Sequence, residues 1–207
     1  YNAIQIEEIL AQRTHIAFNE NVVDPVVLSY CASRAAQEHG DARKALDLLR
    51  ISAELAERDE REIVTVDYVT QAQNVMEKDQ VRSIISTLPI HYKATLASAI
   101  LNQGKRENGQ QTTGEVYSTY TQICKRFNLS DLSQRRIGHI INELDMQGLI
   151  NAKIVSLGRQ GRTRFIGVAL EQNQVKELFR EDSFLSDIVD ELAKTGKYIG
   201  STQTRLI

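Results

Sequence analysis

The spacing of apolar residues changes once along the chain, and this change restricts the fold more than any other feature. Up to Gly148 the apolar residues recur at the three- and four-residue spacing of amphipathic helices. Two runs rich in Ile, Val and Phe follow, INAKIVSL from Ile150 and TRFIGVAL from Thr163, joined by the segment GRQGR. Such runs around a glycine-containing turn predict a β-hairpin. The chain is therefore predicted to be mainly α-helical, with one hairpin.

Charge is distributed unevenly along the chain. The 207 residues include 25 Lys and Arg against 27 Asp and Glu, a formal net charge of −2. Residues 1–90 hold 9 basic against 15 acidic residues, residues 91–170 hold 11 against 5, and residues 171–207 hold 5 against 7. An acidic block followed by a basic block indicates two modules with different partners. The basic module is the candidate for binding a polyanion.

The first module is predicted to be a bundle of about four helices. Asp24 precedes Pro25, an N-cap followed by a residue that suits the first helical position. This helix is expected to end at Gly40, where glycine can adopt the left-handed C-terminal conformation. Asp41 and Thr65 are predicted to cap the next two helices.

Arg43 lies in the first turn of the helix that Asp41 begins. A cation there opposes the helix dipole, so helix stability does not explain it. Free backbone amides and a guanidinium could bind one anion at that point. The alternative is an exposed ion pair with Asp47, four residues later. Spacing alone leaves both interpretations open.

The second module is predicted to begin after Pro89 with three helices. Thr112 and Glu115 have the spacing of a capping box for the second of them, and Ser133 is a natural N-cap for the third. The third helix has an apolar face of Ile137, Ile140, Ile141 and Leu144. Its N-terminal end and its other faces carry candidate DNA-binding groups, which are Ser133, Gln134, Arg135, Arg136, His139 and Asn142. The alternative is an ordinary solvated helix face.

Three helices followed by a hairpin is the order of a winged helix-turn-helix domain. The hairpin turn concentrates basic and polar residues, which are Arg159, Gln160, Arg162, Thr163 and Arg164. In this architecture they could reach DNA phosphates or the minor groove, whose negative potential attracts arginine. The alternative is a basic loop without a ligand.

Four segments together resemble the archaeal origin-recognition and replication-initiation family: GDARKALDLLR, TGEVYSTYTQIC, QRRIGHIINELDMQGLI and GRQGRTR. The resemblance runs from about Tyr1 to Leu170. It implies a helical AAA+ lid at 1–86 and a winged-helix domain at 87–170. The amphipathic pattern after Leu170 separately predicts a helical extension at 171–207, which could pack on the winged-helix domain or contact another protein.

The resemblance also implies roles for residues. Arg43 is similar to the sensor-2 arginine that reaches the nucleotide γ-phosphate in this family. The third helix of the second module is expected in the major groove of origin DNA and the hairpin in the minor groove. The expected partners are double-stranded origin DNA, the replicative helicase and other initiator subunits, on the chromosome in the cytoplasm.

One departure from the family is large. The pattern GxxxxGK[ST] of a phosphate-binding loop does not occur in the sequence. We therefore expect a nucleotide-binding core upstream of Tyr1, with ATP or ADP and Mg²⁺ bound only in the full-length protein. This chain alone is expected to bind no cofactor and to have no ATPase activity.

Other classes of protein remain open at this point. A Holliday-junction branch-migration motor also joins a lid to a winged helix, but has proline where this chain has Ala42. A transcription regulator with a helical effector domain leaves the segment GDAR unexplained. A winged helix used only for protein contacts fits poorly with an arginine-rich hairpin. The cysteines, Cys31 and Cys124, are expected to be buried free thiols, and the histidines have no metal-ligand spacing.

Overall fold

In the computed structural model the chain forms two compact units, Tyr1–Gln80 and a second that begins at Val81. The structure describes residues 1–103, 110–156 and 162–194, and for Arg162, Gln172 and residues 191–194 it describes the backbone alone. We expected a first module that ends at residue 86 and a separate extension from 171. The structure instead buries Ile85 and Leu185 in one core, that of the second unit.

Helices build the first unit: α1 Ala3–Ala17, α2 Pro25–Gln37, α3 Ala42–Arg58 and most of α4 Val66–Thr87. The predicted caps of α2 and α3 are confirmed. The side chains of Asp24 and Asp41 accept hydrogen bonds from the backbone amides two residues later, at 3.0 and 2.8 Å. The core of this unit includes fully buried residues from each helix, among them Ile6, Leu10, Val27, Ala45 and Val69.

Helix α2 ends three residues before the predicted position, but the left-handed conformation predicted for Gly40 is confirmed. The helix ends at Gln37, and both His39 and Gly40 have positive φ, 93° and 70°. The Gly40 amide donates to the carbonyl of Ala35 at 2.9 Å. Gly40 therefore closes the turn beyond the helix, and this turn reverses the chain before Asp41 begins α3.

Beyond the end of α4, the described part of the second unit contains the three predicted helices, a short strand, the hairpin and two further helices. They are α5 Ile90–Gln103, β1 Gln111–Thr112, α6 Thr113–Arg126, α7 Gln134–Met146, β2 Ile150–Ser156, β3 Arg162–Val168, α8 Gln172–Glu181 and α9 Ser183–Lys194. The predicted capping box is confirmed: the Glu115 amide donates to Thr112 Oγ1 at 3.3 Å, and the Thr112 amide donates to Glu115 Oε2 at 2.7 Å.

The sheet has three antiparallel strands in the order β1-β3-β2, so the second strand of the hairpin is central. Strand β1 was not predicted. It pairs Gln111 with Ile166 and Thr112 with Phe165. Because Thr112 is also the N-cap of α6, this pairing fixes the beginning of α6 against the hairpin.

Helices α8 and α9 pack on the core of the winged helix. Leu178, Phe179 and Ile188 are buried there together with residues of α5 to α7. Phe184 meets Phe127 edge-on, with ring centroids 5.3 Å apart. Lys93 of α5 forms an ion pair with Asp182, and both side chains are only 14% exposed. The segment after Leu170 is therefore part of the second unit as far as it is described.

A buried tyrosine organises the turn between α6 and α7. The Tyr120 side chain is fully buried, and its hydroxyl accepts a hydrogen bond from the Leu132 amide at 3.0 Å and bonds to His91 Nδ1 at 2.8 Å. Burial raises the pKa of this hydroxyl, which keeps it protonated. The hydroxyl thus ties the entry to α7 to the first turn of α5.

Tyr120→Phe should remove both bonds and leave two polar groups without a partner. We expect a loss of about 1–3 kcal/mol in the free energy of unfolding of the second unit, measured by urea denaturation. Tyr117→Phe is the matched control, because its ring stacks on that of Tyr120 and its hydroxyl has no hydrogen-bond partner in the described part of the chain. Equal stability of the two variants would contradict this role for the hydroxyl.

Both cysteines are free and buried, as expected. Burial raises the pKa of Cys31 to about 12 and raises that of Cys124 as well. No helix in the described ranges is long and apolar enough to cross a membrane.

The raised pKa values predict slow thiol chemistry in the native protein. At pH 8 a thiol of pKa about 12 has a thiolate fraction of ~10⁻⁴, against roughly one quarter for an unfolded cysteine. We expect an aromatic disulfide reagent to modify neither cysteine on mixing at pH 8 and to modify both in denaturant. Rapid labelling without denaturant would show that one of the thiols is exposed by local opening.

Candidate nucleic-acid interface

Helix α7 is held by its apolar face, and this sets which of its residues are exposed. Ile137, Ile140, Ile141 and Leu144 are all fully buried, as the spacing predicted. Ser133 is confirmed as N-cap, since its Oγ accepts from the Arg136 amide at 3.4 Å. The predicted interface residues of α7 are all exposed, namely Gln134, Arg135, Arg136, His139 and Asn142.

Cations and anions of α7 are separated along the helix. Arg135 and Arg136 lie in the first turn, where a positive charge opposes the helix dipole. Neither has an ion pair within the described ranges. The acidic residues of α7, Glu143 and Asp145, lie near its C-terminal end, and both accept hydrogen bonds. Tyr92 donates its hydroxyl to Glu143, which raises the pKa of Tyr92, and Asp145 accepts from the Ala152 amide at 2.9 Å.

This separation leaves the N-terminal half of α7 with unopposed positive charge on an exposed surface. Because the arginines do not stabilise the helix and have no internal acid to neutralise them, they are placed to meet an external anion.

The hairpin residues predicted for DNA contact are only partly described. Arg159 and Gln160 lie outside the described residues. Arg162 begins β3, where its backbone pairs with Ser156. Thr163 and Arg164 are half-buried, and they pair with Val155 and Ile154 near the turn end of the hairpin.

Arg164 has a contact inside the protein that was not predicted. Its Nη1 donates to the carbonyl of Gly138 in α7 at 3.2 Å. The hydrogen bond between Arg164 and Gly138 and the one between Ala152 and Asp145 together attach the hairpin to α7 at two points. Arg164 therefore helps to set the position of the hairpin beside α7, in addition to any contact with a ligand.

An open groove of about 550 Å³ lies between α7, the hairpin and the beginning of α6. Its lining residues are Thr112, Thr113, Gly114, Gln134, Ile154, Thr163 and Arg164. Sequence reasoning missed four of them, Ile154 and the three at the start of α6. Ile154 could have been found from the sequence, because the alternation of side chains along a strand places it on the same face as Ile150. The start of α6 could not, because only the β1–β3 pairing brings it to the hairpin.

Arg43 of the first unit is exposed in the first turn of α3. The alternative ion pair with Asp47 is absent, because Asp47 lies 3.6 Å from Arg50 Nε instead. The Arg43 guanidinium has no partner among the residues that the structure describes. The chemistry of this position fits a phosphate oxygen. In the same described ranges, no group of His, Cys, Asp and Glu could hold a metal ion.

Two family models match the chain in succession. Residues 7–74 match the Cdc6 AAA+ ATPase-type lid domain, and residues 83–178 match the CDC6 C-terminal winged helix domain. The ORC1-type DNA replication protein 1 of Sulfolobus acidocaldarius is 46% identical over 181 residues, which is 87% of this chain. The chain belongs to the archaeal origin-recognition and replication-initiation family.

Further relatives agree with this assignment. The ORC1-type DNA replication protein of Thermococcus onnurineus is 46% identical over 191 residues, 91% of this chain and 45% of that protein. The solved structure of the Aeropyrum pernix ORC1 protein in complex with DNA matches 91% of this chain and 49% of that one, with a TM-score of 0.79 and 39% identity. The chain spans about half the length of the curated relatives it matches.

The family assignment confirms the predicted fold, an AAA+ lid followed by a winged helix-turn-helix domain. It also decides against the branch-migration motor and the transcription regulator, since the matching models are of Cdc6 domains and the relatives are named DNA replication proteins. The roles of individual residues in nucleotide sensing and DNA contact stay predictions.

Proposed function

We propose that this chain binds duplex origin DNA through its winged helix, as part of an ATP-regulated initiator of DNA replication. Helix α7 would enter the major groove with its N-terminal half, and the β2–β3 hairpin would contact the adjacent minor groove. The observation that carries the proposal is the unopposed positive charge at the exposed beginning of α7, next to a hairpin attached to the same helix.

The similar Aeropyrum pernix protein supports this proposal, because its structure was solved in complex with DNA. The likeness extends over 91% of this chain at a TM-score of 0.79, so it includes the winged helix as well as the lid. The net charge of residues 91–170, 11 basic against 5 acidic, also favours a polyanion as the ligand of this unit.

Arg135→Ala combined with Arg136→Ala should weaken binding of duplex DNA by at least about tenfold. Removing two phosphate or base-edge contacts should also reduce the slope of log affinity against log salt by up to ~2. Fluorescence anisotropy of a labelled duplex at several salt concentrations measures both quantities.

The control variant is Arg58→Ala with Arg61→Ala, which removes the same charge from exposed positions of the lid. Arg159→Ala with Arg162→Ala tests the hairpin without breaking the Arg164 bond to α7. If the α7 variant and the lid variant bind alike, α7 is not the DNA-contacting helix. If the parent chain binds no duplex at low salt, a winged helix used only for protein contacts becomes the better proposal.

The lid would report nucleotide state through Arg43. Its exposed guanidinium, in the first turn of α3, suits the terminal phosphate of ATP. The other phosphate and Mg²⁺ ligands of such a site would belong to the part of the relatives that this chain does not span. Bound ATP would supply a nucleotide-dependent switch of conformation, and its hydrolysis by the longer protein is part of the proposal.

Arg43→Ala in the longer protein should reduce ATP hydrolysis by about tenfold or more, because a cationic phosphate contact is lost. Arg50→Ala on the same helix is the control, since Arg50 pairs with Glu54 at 2.6 Å on the surface. Steady-state hydrolysis and the ratio of ATP to ADP affinity are the readouts. Unchanged values for Arg43→Ala would leave that residue without a nucleotide role.

The wider role that we propose follows from family membership. An initiator bound at an origin would act on the chromosome and help to load the replicative helicase, together with other initiator subunits. Association of the longer protein with origin DNA in cells and its pull-down with the helicase test these two parts separately.

A further inference from the structure

Gly138 is a glycine that the fold of α7 does not require. In a helix interior, glycine lowers the folding equilibrium constant by about fivefold relative to alanine. At Gly148 a positive φ of 73° explains the glycine, but Gly138 has no such conformation. A Cβ built at Gly138 would meet nothing within 4 Å. Neither backbone geometry nor packing within the described residues therefore accounts for the missing side chain.

Gly138 is not itself a lining residue of the groove, but on α7 it lies next to two of them. It follows Gln134 by four residues, so the two are neighbours along the helix surface, and Gln134 lines the groove. Arg164, which also lines the groove, bonds to the Gly138 carbonyl. That bond does not require glycine, because the Cβ position is open.

The groove offers a mixed surface. Ile154 is 65% exposed there, beside the Arg164 guanidinium and the Gln134 amide. A second glycine, Gly114, lies on the opposite wall, and the nearest atom to its Cβ position is Thr112 Oγ1 at 4.0 Å. An apolar side chain next to cationic and hydrogen-bonding groups matches a sugar–phosphate strand, which alternates an apolar deoxyribose with an anionic phosphate.

The geometry of duplex DNA also predicts a strand at this place. The major and minor grooves of one face are separated by a single sugar–phosphate strand. If α7 enters the major groove and the hairpin the adjacent minor groove, that strand must pass between the two elements. The space between them is the groove lined by Gln134, Ile154 and Arg164.

We propose that one sugar–phosphate strand of the DNA lies in this groove and approaches α7 most closely at Gly138, where a side chain would hold it away. Ile154 contacts a deoxyribose of the same strand. This inference rests on the proposed function, and it assigns to Gly138 a positioning role that acts through the distance between strand and helix.

Gly138→Ala should change stability and DNA affinity in opposite directions. The melting temperature of the second unit should rise by roughly 2–6 °C, because alanine is the better helix former. Affinity for duplex DNA should fall by about fivefold or more at fixed salt. A variant that is more stable and binds less cannot owe its weaker binding to unfolding.

Gly167→Ala is the matched control for the added methyl group. Gly167 is in β3, three residues from Arg164 and on the other face of the strand, and its Cβ position is also open. We expect its DNA affinity to equal that of the parent. If Gly138→Ala also binds like the parent while Arg135→Ala with Arg136→Ala does not, this inference is wrong and the proposed function stands. If the parent binds no duplex, both fail.

Two glutamate substitutions, compared with each other, test the placement of the strand in the groove independently of Gly138. Ile154→Glu places an anion in the groove, whereas Val155→Glu places the same charge on the opposite face of β2. Both parent residues are exposed, at 65% and 38%. We expect Ile154→Glu to weaken binding at least tenfold more than Val155→Glu at low salt, and the difference to shrink as salt increases. Equal effects of the two variants would overturn the placement of the strand.

Discussion

Complete burial of four aliphatic side chains of α7 is the constraint on which the rest of the second unit depends. Ile137, Ile140, Ile141 and Leu144 leave no rotational freedom to the helix, since any turn about its axis would expose one of them. The arginines of the first turn are consequently fixed on the exposed side. The Tyr120 hydroxyl then fixes the segment that leads into this turn, by its bond to Leu132.

Hydrogen bonds attach the hairpin to α7 and also determine where the acidic side chains of α7 lie. Arg164 and Ala152 attach β3 and β2 to the carbonyl of Gly138 and the carboxylate of Asp145. The same contacts, with the Tyr92 bond to Glu143, engage both acids of α7 inside the unit. These hydrogen bonds hold both carboxylates near the C-terminal end of α7, away from the arginines of its first turn.

Much of this arrangement follows from local sequence. Caps at Asp24, Asp41, Thr112 and Ser133 were predictable because each depends on a side chain and a backbone amide two or three residues away. The buried face of α7 was predictable from its spacing. The resemblance of four short segments identified the family, although no single segment is specific.

Contacts distant in sequence account for what the sequence did not predict. Strand β1 has two residues and exists only through its pairing with β3, some 53 residues later. The groove depends on that same pairing, and the internal bond of Arg164 depends on the placement of the hairpin beside α7. The position predicted for the end of α2 was too late, because two successive residues of positive φ follow the helix. The sequence had suggested that a single glycine ends it.

The shared core of the second unit also bears on how the chain is made. Ile85 and Ile188 are each 1% exposed in one cluster, although about a hundred residues separate them. Among the residues that the structure describes, the buried core of the first unit extends no further than Ala72. During synthesis from the N-terminus, the lid can therefore complete its core while the winged helix must wait for α9 to leave the ribosome. Until then α5 lacks the part of its cover that α9 supplies, and the nascent second unit is open to misassembly.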